Sequence, residues 1–248
     1  MGRTVIVAQA RMSSTRLPGK TLADLGGRPM IDLVVERARR ATLADEVVIA
    51  TTNDATDDVL AAHLELLGVP YVRGSLDDVL SRYELAARTF HAETIVRITC
   101  DCPFINPSVI DDVIAAYRAA PEVDYCGNTL VRTYPIGMDT EVFSREALER
   151  AAAEASQPGE REHVTPYLYQ HPDLFRLRNV EAPSEACWPE LRLTVDEPED
   201  LALMRALLAH EGPEASLHAV IGFLRLHPEL AAMNADVVHR HTEKPTDW

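Results

Sequence analysis

Lysine is almost missing from this chain: only Lys20 and Lys244 appear among 24 basic residues, the rest being arginine. The 248 residues hold just four cysteines, too few for a disulfide framework, and Cys100 and Cys102 stand too close in sequence to bridge comfortably. A zinc reading of "CDC" lacks further ligands, because Cys126 and Cys187 have no paired spacing. No apolar run approaches the roughly 20 residues that a membrane helix needs. Met1-Gly2-Arg3 leads into a strand-like segment and not into a secretory signal. These scarcities argue against a disulfide-stapled secreted fold and a helical membrane protein, and predict a cytoplasmic chain with no membrane partner.

At 46% hydrophobic, the length suits one sizeable core, and a single domain over residues 1–248 is expected. The formal charge is −15, yet residues 1–40 hold eight basic side chains against three acidic ones. That imbalance argues against a nucleic-acid partner, which favours an extended basic face, and suits a local pocket for a small polyanion.

Apolar runs of strand length alternate with helical patterns. "TVIVA" (Thr4–Ala8), "EVVIA" (Glu46–Ala50), "YVR" (Tyr71–Arg73), "TIVRIT" (Thr94–Thr99) and "VDYCG" (Val123–Gly127) read as strands. Helices are predicted over 29–40, 57–67, 76–90 and 107–118, with Met30, Leu33, Val34 and Val35 as a core stripe. The pattern then loosens into strands at 140–143, 174–180 and 191–195 and helices at 145–155, 164–170 and 198–209. Val/Ile-rich strands separated by helices predict an α/β fold with a largely parallel sheet covered on both faces. Ligands in such sheets bind beyond the carboxyl ends of the strands.

The stretch "RMSSTRLPGK" (Arg11–Lys20) follows the first strand. It combines Arg11, Arg16 and Lys20 with Ser13, Ser14, Thr15 and a Pro-Gly turn, a composition able to surround phosphate oxygens; the plain alternative is a solvated polar loop. A compact ammonium in a chain that otherwise chooses arginine points to a phosphate contact at Lys20. "GKT" (Gly19–Thr21) also invites a P-loop reading, with Asp101 as its metal-holding acid. That pattern wants glycine where Ser14 stands, and its helix should open at Lys20, whereas Pro29 marks the helix start.

The stretch "AQARMSSTRLPGKTLADLGGRPMIDLVVERARR" resembles the opening of cytidylyltransferases that make CMP-activated sugar acids. "RGSLDDVLSRY", "VRITCDCPFINP", "YPIGMDTEVFSREALE", "EREHVTPYLYQHP" and "LRLTVDEPEDL" are similar, in order, to the spore coat polysaccharide biosynthesis protein F branch of that family. The resemblance implies a Rossmann-like three-layer αβα nucleotidyltransferase of glycosyltransferase-A-like fold, with a mostly parallel mixed sheet and usually a homodimer. Residues 1–128 would form a nucleotide-binding half, 129–209 an acceptor and dimer half, and 210–248 C-terminal helices and a tail. It implies joining CTP to an oxygen of a small acidic or phosphorylated, sugar acid-like acceptor, with loss of pyrophosphate and with Mg²⁺ as cofactor. By motif position, Arg11, Lys20 and Asp101 would be catalytic. Ala8, Ala10, Arg11, Ser13, Ser14, Arg16, Lys20, Thr51, Arg73, Ser75, Asp78, Arg82 and Thr99 would bind nucleotide. Asp101 and Asp196 would bind the metal, and Asp139, Glu141, Arg161 and His163 would face the acceptor.

The residues accommodate that chemistry, because displacement at an α-phosphorus needs charge neutralisation and alignment more than a dedicated nucleophile, and two aspartates at strand ends suffice for Mg²⁺. Strand alternation predicts Thr99 and Asp101 on one side and the Cys100 and Cys102 thiols facing away as packing groups. Asp101 has a local alternative in the turn before Pro103, and Asp196 in capping the helix after Pro198. His163 is either a general base, an acceptor contact or a residue with no task. Ile136 occupies a place where that branch leads one to expect a charged residue, often arginine. Two other readings stay open: a nucleotide-sugar-dependent glycosyltransferase, which would normally want a D-x-D pair where Asp101 is followed by Cys102 and Pro103, and a P-loop-type NTPase or nucleotide-binding protein.

Overall fold

Alternating side chains on the first, second and fourth strands enter two different cores, and this places the sheet in the middle of three layers. In the computed structural model, which describes residues 2–238, Val5, Val7, Val48, Ala50 and Ile95 join one buried cluster, while Ile6, Ala8, Val47, Ile49, Val96 and Ile98 join another. Lys244 and the end of the tail lie outside the described residues.

The chain runs β1 (Thr4–Gln9), α1 (Met30–Ala38), β2 (Glu46–Thr52), α2 (Asp58–Leu66), β3 (Tyr71–Gly74), α3 (Val79–Thr89), β4 (Thr94–Thr99) and α4 (Pro107–Arg118). It continues with β5 (Tyr125–Gly127), β6 (Glu141–Ser144), α5 (Arg145–Glu154), α6 (Pro158–His163), α7 (Pro166–Tyr169), β7 (Leu177–Asn179), α8 (Pro198–Glu211), α9 (Leu217–Leu226) and α10 (Pro228–Ala231). The seven strands form one mixed sheet in the order β3-β2-β1-β4-β6-β5-β7. Among the described residues only β6 runs against its neighbours, pairing antiparallel with both β4 and β5. This reversal brings the amino end of β6, Glu141, to the edge where the other strands present their carboxyl ends. Strand order diverges from β1, with β2 on one side and β4 on the other, so the crevice of an open α/β sheet falls between β1 and β4.

On one face, α3 carries Val79, Leu80, Tyr83 and Ala86 into the core with Leu148 of α5. On the other, Ile31, Val34 and Val35 of α1 meet Leu60 and Leu64 of α2 and Ile110 and Val113 of α4. The α1 stripe is divided, because Met30 and Leu33 enter a third cluster with Leu203, Met204 and Leu207 of α8 and Val220, Ile221 and Leu224 of α9. Helix α4 begins as its sequence predicts, with Pro107 in the first turn and the Asn106 side chain accepting from Ser108 N–H.

Two elements differ from expectation. "LRLTV" is extended but is no strand: Ile136 pairs with Arg192 in an isolated bridge, Leu193 N–H donates to Ile136 O at 2.7 Å, and Val195 N–H donates to Asp101 O at 2.8 Å. Its backbone partners change along its length, so no ladder forms. The helix expected at 164–170 starts only at Pro166, and α6 precedes it. Between them Val164 takes φ 73° and ψ −55°, with Thr165 N–H donating to His163 O at 2.9 Å. This is a strained γ-turn at a β-branched residue.

Candidate active site

The loop after β1 is built around the Met12 backbone. Its carbonyl accepts from Ser14 N–H at 2.9 Å and Gly19 N–H at 3.1 Å. Gly19 has φ 74°, a left-handed conformation suited to glycine, and turns the chain into a short 3₁₀ segment, Lys20–Leu22. No α-helix opens at Lys20; α1 begins eight residues after Leu22, at Met30. The helical part of the P-loop pattern is therefore absent.

Lys20 Nζ sits at the centre of the site. It donates to Asp101 Oδ2 at 2.8 Å, Asp196 Oδ1 at 2.9 Å and Val195 O at 2.8 Å. Asp101 arrives from the end of β4. Asp196 arrives from the extended segment that bonds to the Asp101 carbonyl. Burial would raise the Asp101 carboxyl, but the Lys20 charge and hydrogen bonds from Lys20, Thr99 and Cys102 outweigh it and hold the group well below the usual carboxylate range. Burial acts on Lys20 in the opposite sense and would lower its pKa; the two aspartates overcome this and raise it.

Asp196 also meets Arg16 Nη2 at 2.7 Å and Arg192 Nη2 at 2.7 Å. Arg192 is buried and extends Nε to Asp200 Oδ1 at 2.8 Å. The backbone N–H groups of Asp196 and Glu197 donate to Asp200, so Asp200 serves the start of α8 while the Asp196 carboxylate faces the cations. Among the described residues, no group of three or more His, Cys, Asp or Glu side chains forms a metal cage. Two carboxylates sharing one cation are nevertheless a fitting donor set for a metal that takes its other oxygens from phosphates and water.

A cleft of about 590 Å³ opens over this cluster, lined among others by Ala10, Arg11, Ser14, Lys20, Arg82 and His163. Arg82 is only 2% exposed, and among the described residues neither its Nε nor its Nη1 has a hydrogen-bond partner. Burial lowers its pKa, and Arg11 adds like-charge repulsion. An unpaired buried guanidinium beside an open cleft is a demand for an anion. Thr99, Asp101, His163 and Asp196 are shared with an adjoining recess of about 190 Å³ that adds Arg97, Thr129, Arg132, Asp139, Glu141 and Thr194.

In that recess Arg132 grips Asp139 with two bonds, at 2.6 and 2.7 Å. Glu141 is 4% exposed, pairs with Arg97, and accepts from the Tyr125 hydroxyl at 2.6 Å and the Thr165 hydroxyl at 2.8 Å. It frames the recess more than it offers a free carboxylate. His163 is exposed at the cleft mouth, where partial burial among the walls is the main cause lowering its pKa; Arg97 and Arg11 act in the same direction, against Glu162 and Glu141.

Several predicted residues lie outside the cleft. Ala8 is core, and Ser13 is exposed on the loop. Thr51 is fully buried, donating to Asp57 Oδ2 at 3.1 Å. Arg73 is spent on Thr52 O, Asp54 O and Asp58. The Ser75 hydroxyl accepts from Asp78 N–H, and Asp78 caps α3 and pairs with Arg161 at 2.7 Å. Arg161 also donates to the carbonyls of Ala152 and Ala155, and so fastens α6 to α3 and α5 instead of reaching the recess. Cys102 departs from the strand alternation. Its Sγ lies 3.3 Å from Thr99 Oγ1 and 3.6 Å from Thr194 Oγ1 and lines the recess, because β4 ends at Thr99 and the following turn rotates the thiol inward.

A family model described as cytidylyltransferase matches residues 4–220. The chain belongs to the cytidylyltransferase family. Spore coat polysaccharide biosynthesis protein SpsF of Bacillus subtilis is 36% identical over 238 residues, covering 93% of this chain and 98% of that protein. A 3-deoxy-manno-octulosonate cytidylyltransferase of Anaeromyxobacter dehalogenans is 30% identical over 242 residues, covering 84% and 99%. Among solved structures, a cytidylyltransferase from Leptospira borgpetersenii superposes with a TM-score of 0.88 at 30% identity, over 97% of this chain and 100% of that one. CMP:2-keto-3-deoxy-manno-octonic acid synthetase, solved in complex with CTP, shares the fold at a TM-score of 0.67 and 21% identity, over 84% and 99%.

Sequence reasoning missed four side chains that shape the site of this cytidylyltransferase: Asp57, Arg97, Arg132 and Arg192. Arg192 left a trace, being a lone charge in an apolar run four residues before Asp196 and eight before Asp200. Arg97 left the same trace, a lone charge in "TIVRIT", but its partner Glu141 becomes a neighbour only through the sheet; Arg132 left none, since it meets Asp139 only through the loop before β6.

Proposed function

We propose that this cytidylyltransferase takes CTP with Mg²⁺ and transfers CMP to a small acidic or phosphorylated, sugar acid-like acceptor, releasing pyrophosphate. The observation that carries this reading is the cleft itself: Arg11, Arg16, Lys20 and Arg82, whose Nε and Nη1 have no partner among the described residues, converge over Asp101 and Asp196 at the carboxyl edge of the sheet. Arg11 and Arg82 would receive the triphosphate. Asp101 and Asp196 would hold Mg²⁺, which when bound neutralises phosphate charge and aligns the displacement. Lys20, whose ammonium bridges both carboxylates in the free chain, would turn toward phosphate oxygens as charge builds on the departing pyrophosphate.

The recess beside Asp101 would take the acceptor, with Asp139 held in place by Arg132. The acceptor oxygen attacks the α-phosphorus, a new phosphorus–oxygen bond forms, and the bond to the bridging oxygen of the pyrophosphate breaks. His163, whose pKa is lowered chiefly by partial burial, would accept the acceptor proton. Calorimetric titration with each nucleoside triphosphate and Mg²⁺, followed by pyrophosphate detection across sugar acids and sugar phosphates, tests the reading. It expects tightest binding of CTP and acceptor-dependent pyrophosphate. Tighter binding of ATP, with release of inorganic phosphate, would replace it with an NTPase.

A further inference from the structure

Asp57 is a carboxylate with no solvent exposure, and it reaches across 45 residues of sequence to the phosphate-facing loop. Its Oδ1 accepts from Met12 N–H at 2.7 Å. Its Oδ2 accepts from the Thr51 hydroxyl at 3.1 Å, from Thr52 N–H at 3.2 Å and from the Thr52 hydroxyl. One oxygen therefore grips the loop and the other grips the end of β2. The next link is Met12 itself, whose carbonyl holds Gly19 N–H, and Gly19 sets the turn that delivers Lys20. A second tie, Thr21 Oγ1 donating to Arg11 O at 2.9 Å, closes the loop on itself but does not anchor it to the sheet.

We infer that Asp57 is a positioning residue for the triphosphate site: it fixes the Met12 backbone, and through it the stations of Arg11 and Lys20, to the carboxyl end of β2. The inference rests on the nucleotide-binding reading of that loop and adds a residue to it. A carboxylate suits this post because it accepts at both oxygens, whereas an amide accepts at only one. Holding cations where phosphates arrive removes the cost of ordering them at each binding event, so loosening the loop weakens binding without removing a ligand contact.

The test compares Asp57→Ala with Asp54→Ala. Asp54 caps the same turn, accepting from Thr56 N–H at 2.8 Å and from the Thr56 hydroxyl at 2.7 Å, but among the described residues its side chain makes no hydrogen bond to the loop. Hydrogen exchange over residues 10–22 and calorimetric titration with CTP and Mg²⁺ are measured for both variants and for the wild type. Asp57→Ala is expected to raise loop exchange and to weaken CTP binding about tenfold or more, while Asp54→Ala leaves both within about twofold. Should Asp57→Ala fail to fold, Asp57→Asn makes the same comparison. Wild-type loop exchange and affinity in the Asp57 variants would overturn the inference, as would an equal loss in Asp54→Ala. A wild-type protein that does not bind CTP would instead sink the nucleotide reading, and the exchange data would still report whether Asp57 anchors the loop.

Discussion

Lys20 occupies the position where two like charges from distant segments would otherwise repel. Its place in a surface loop argues for little effect on stability, but the bonds to Asp101 and Asp196 add one. Lys20→Met is expected to cost roughly 1–3 kcal/mol of folding stability by urea unfolding, since it leaves two largely buried carboxylates facing each other. In turnover the same variant should lose about a hundredfold, and Lys20→Arg should also be impaired because the planar fork needs more room than a point ammonium. The pH dependence follows from the two shifts. The Asp101 pKa is depressed by folding, so its contribution is present above the unfolded value near about 4 and is lost as pH falls through the folded value. The Lys20 pKa is raised, so its contribution is present below about 10.5 and is lost as pH rises through the folded value. The stability difference between wild type and Asp101→Asn should therefore stay level from about pH 5 to pH 9 and shrink below about pH 4. A difference that varies steadily through neutrality would assign it to another group. Residue types pointed to Lys20 and both aspartates, because rarity and strand-end position are visible in a sequence. That Lys20 bridges the aspartates was not visible, since the contact spans 81 and 176 residues of chain.

At the level of elements, two backbone features border the recess, which Gly137, His163 and Thr165 line. Gly137 has φ 102°, and a Cβ there would stand 2.4 Å from Leu193 O, so Gly137→Ala should cost roughly 2 kcal/mol or more and disturb the extended segment leading to Asp196. Val164, in the γ-turn between α6 and α7, is 1% exposed. Both Val164→Ala and Val164→Gly lose its packing, but glycine alone relieves the positive φ, a strain of about 1–3 kcal/mol. Thermal unfolding should therefore find Val164→Gly at least as stable as Val164→Ala, the reverse of the order expected from burial. The main strands and α4 were legible because Val/Ile runs and Pro caps act locally. Helix α6, "PGEREH", has little apolar periodicity to announce it, and "LRLTV" has strand composition but lies where no neighbour continues alongside it.

Across the whole molecule, a chain of net charge −15 sets Arg11, Arg16, Lys20 and Arg82 around one cleft, so affinity for a polyanion is expected to be local and sensitive to salt. CTP with Mg²⁺ at about 100 times its dissociation constant should stabilise the fold by about 2.7 kcal/mol, and raised salt should erode the gain. The three-layer architecture could be read from alternation alone. The insertion of β6 between β4 and β5 could not, because antiparallel pairing with an earlier strand leaves no local mark, and this insertion carries Glu141 and the recess to the edge where the other strands present their carboxyl ends. The most direct test of cytidylyl transfer follows the phosphorus atoms of CTP, labelled in turn at the α and γ positions, during incubation with Mg²⁺ and sugar-acid acceptors. Transfer predicts the α label on the acceptor product and the γ label in pyrophosphate, with both lost in Asp101→Asn; γ label appearing as inorganic phosphate, with the α label still in a free nucleotide, would contradict it.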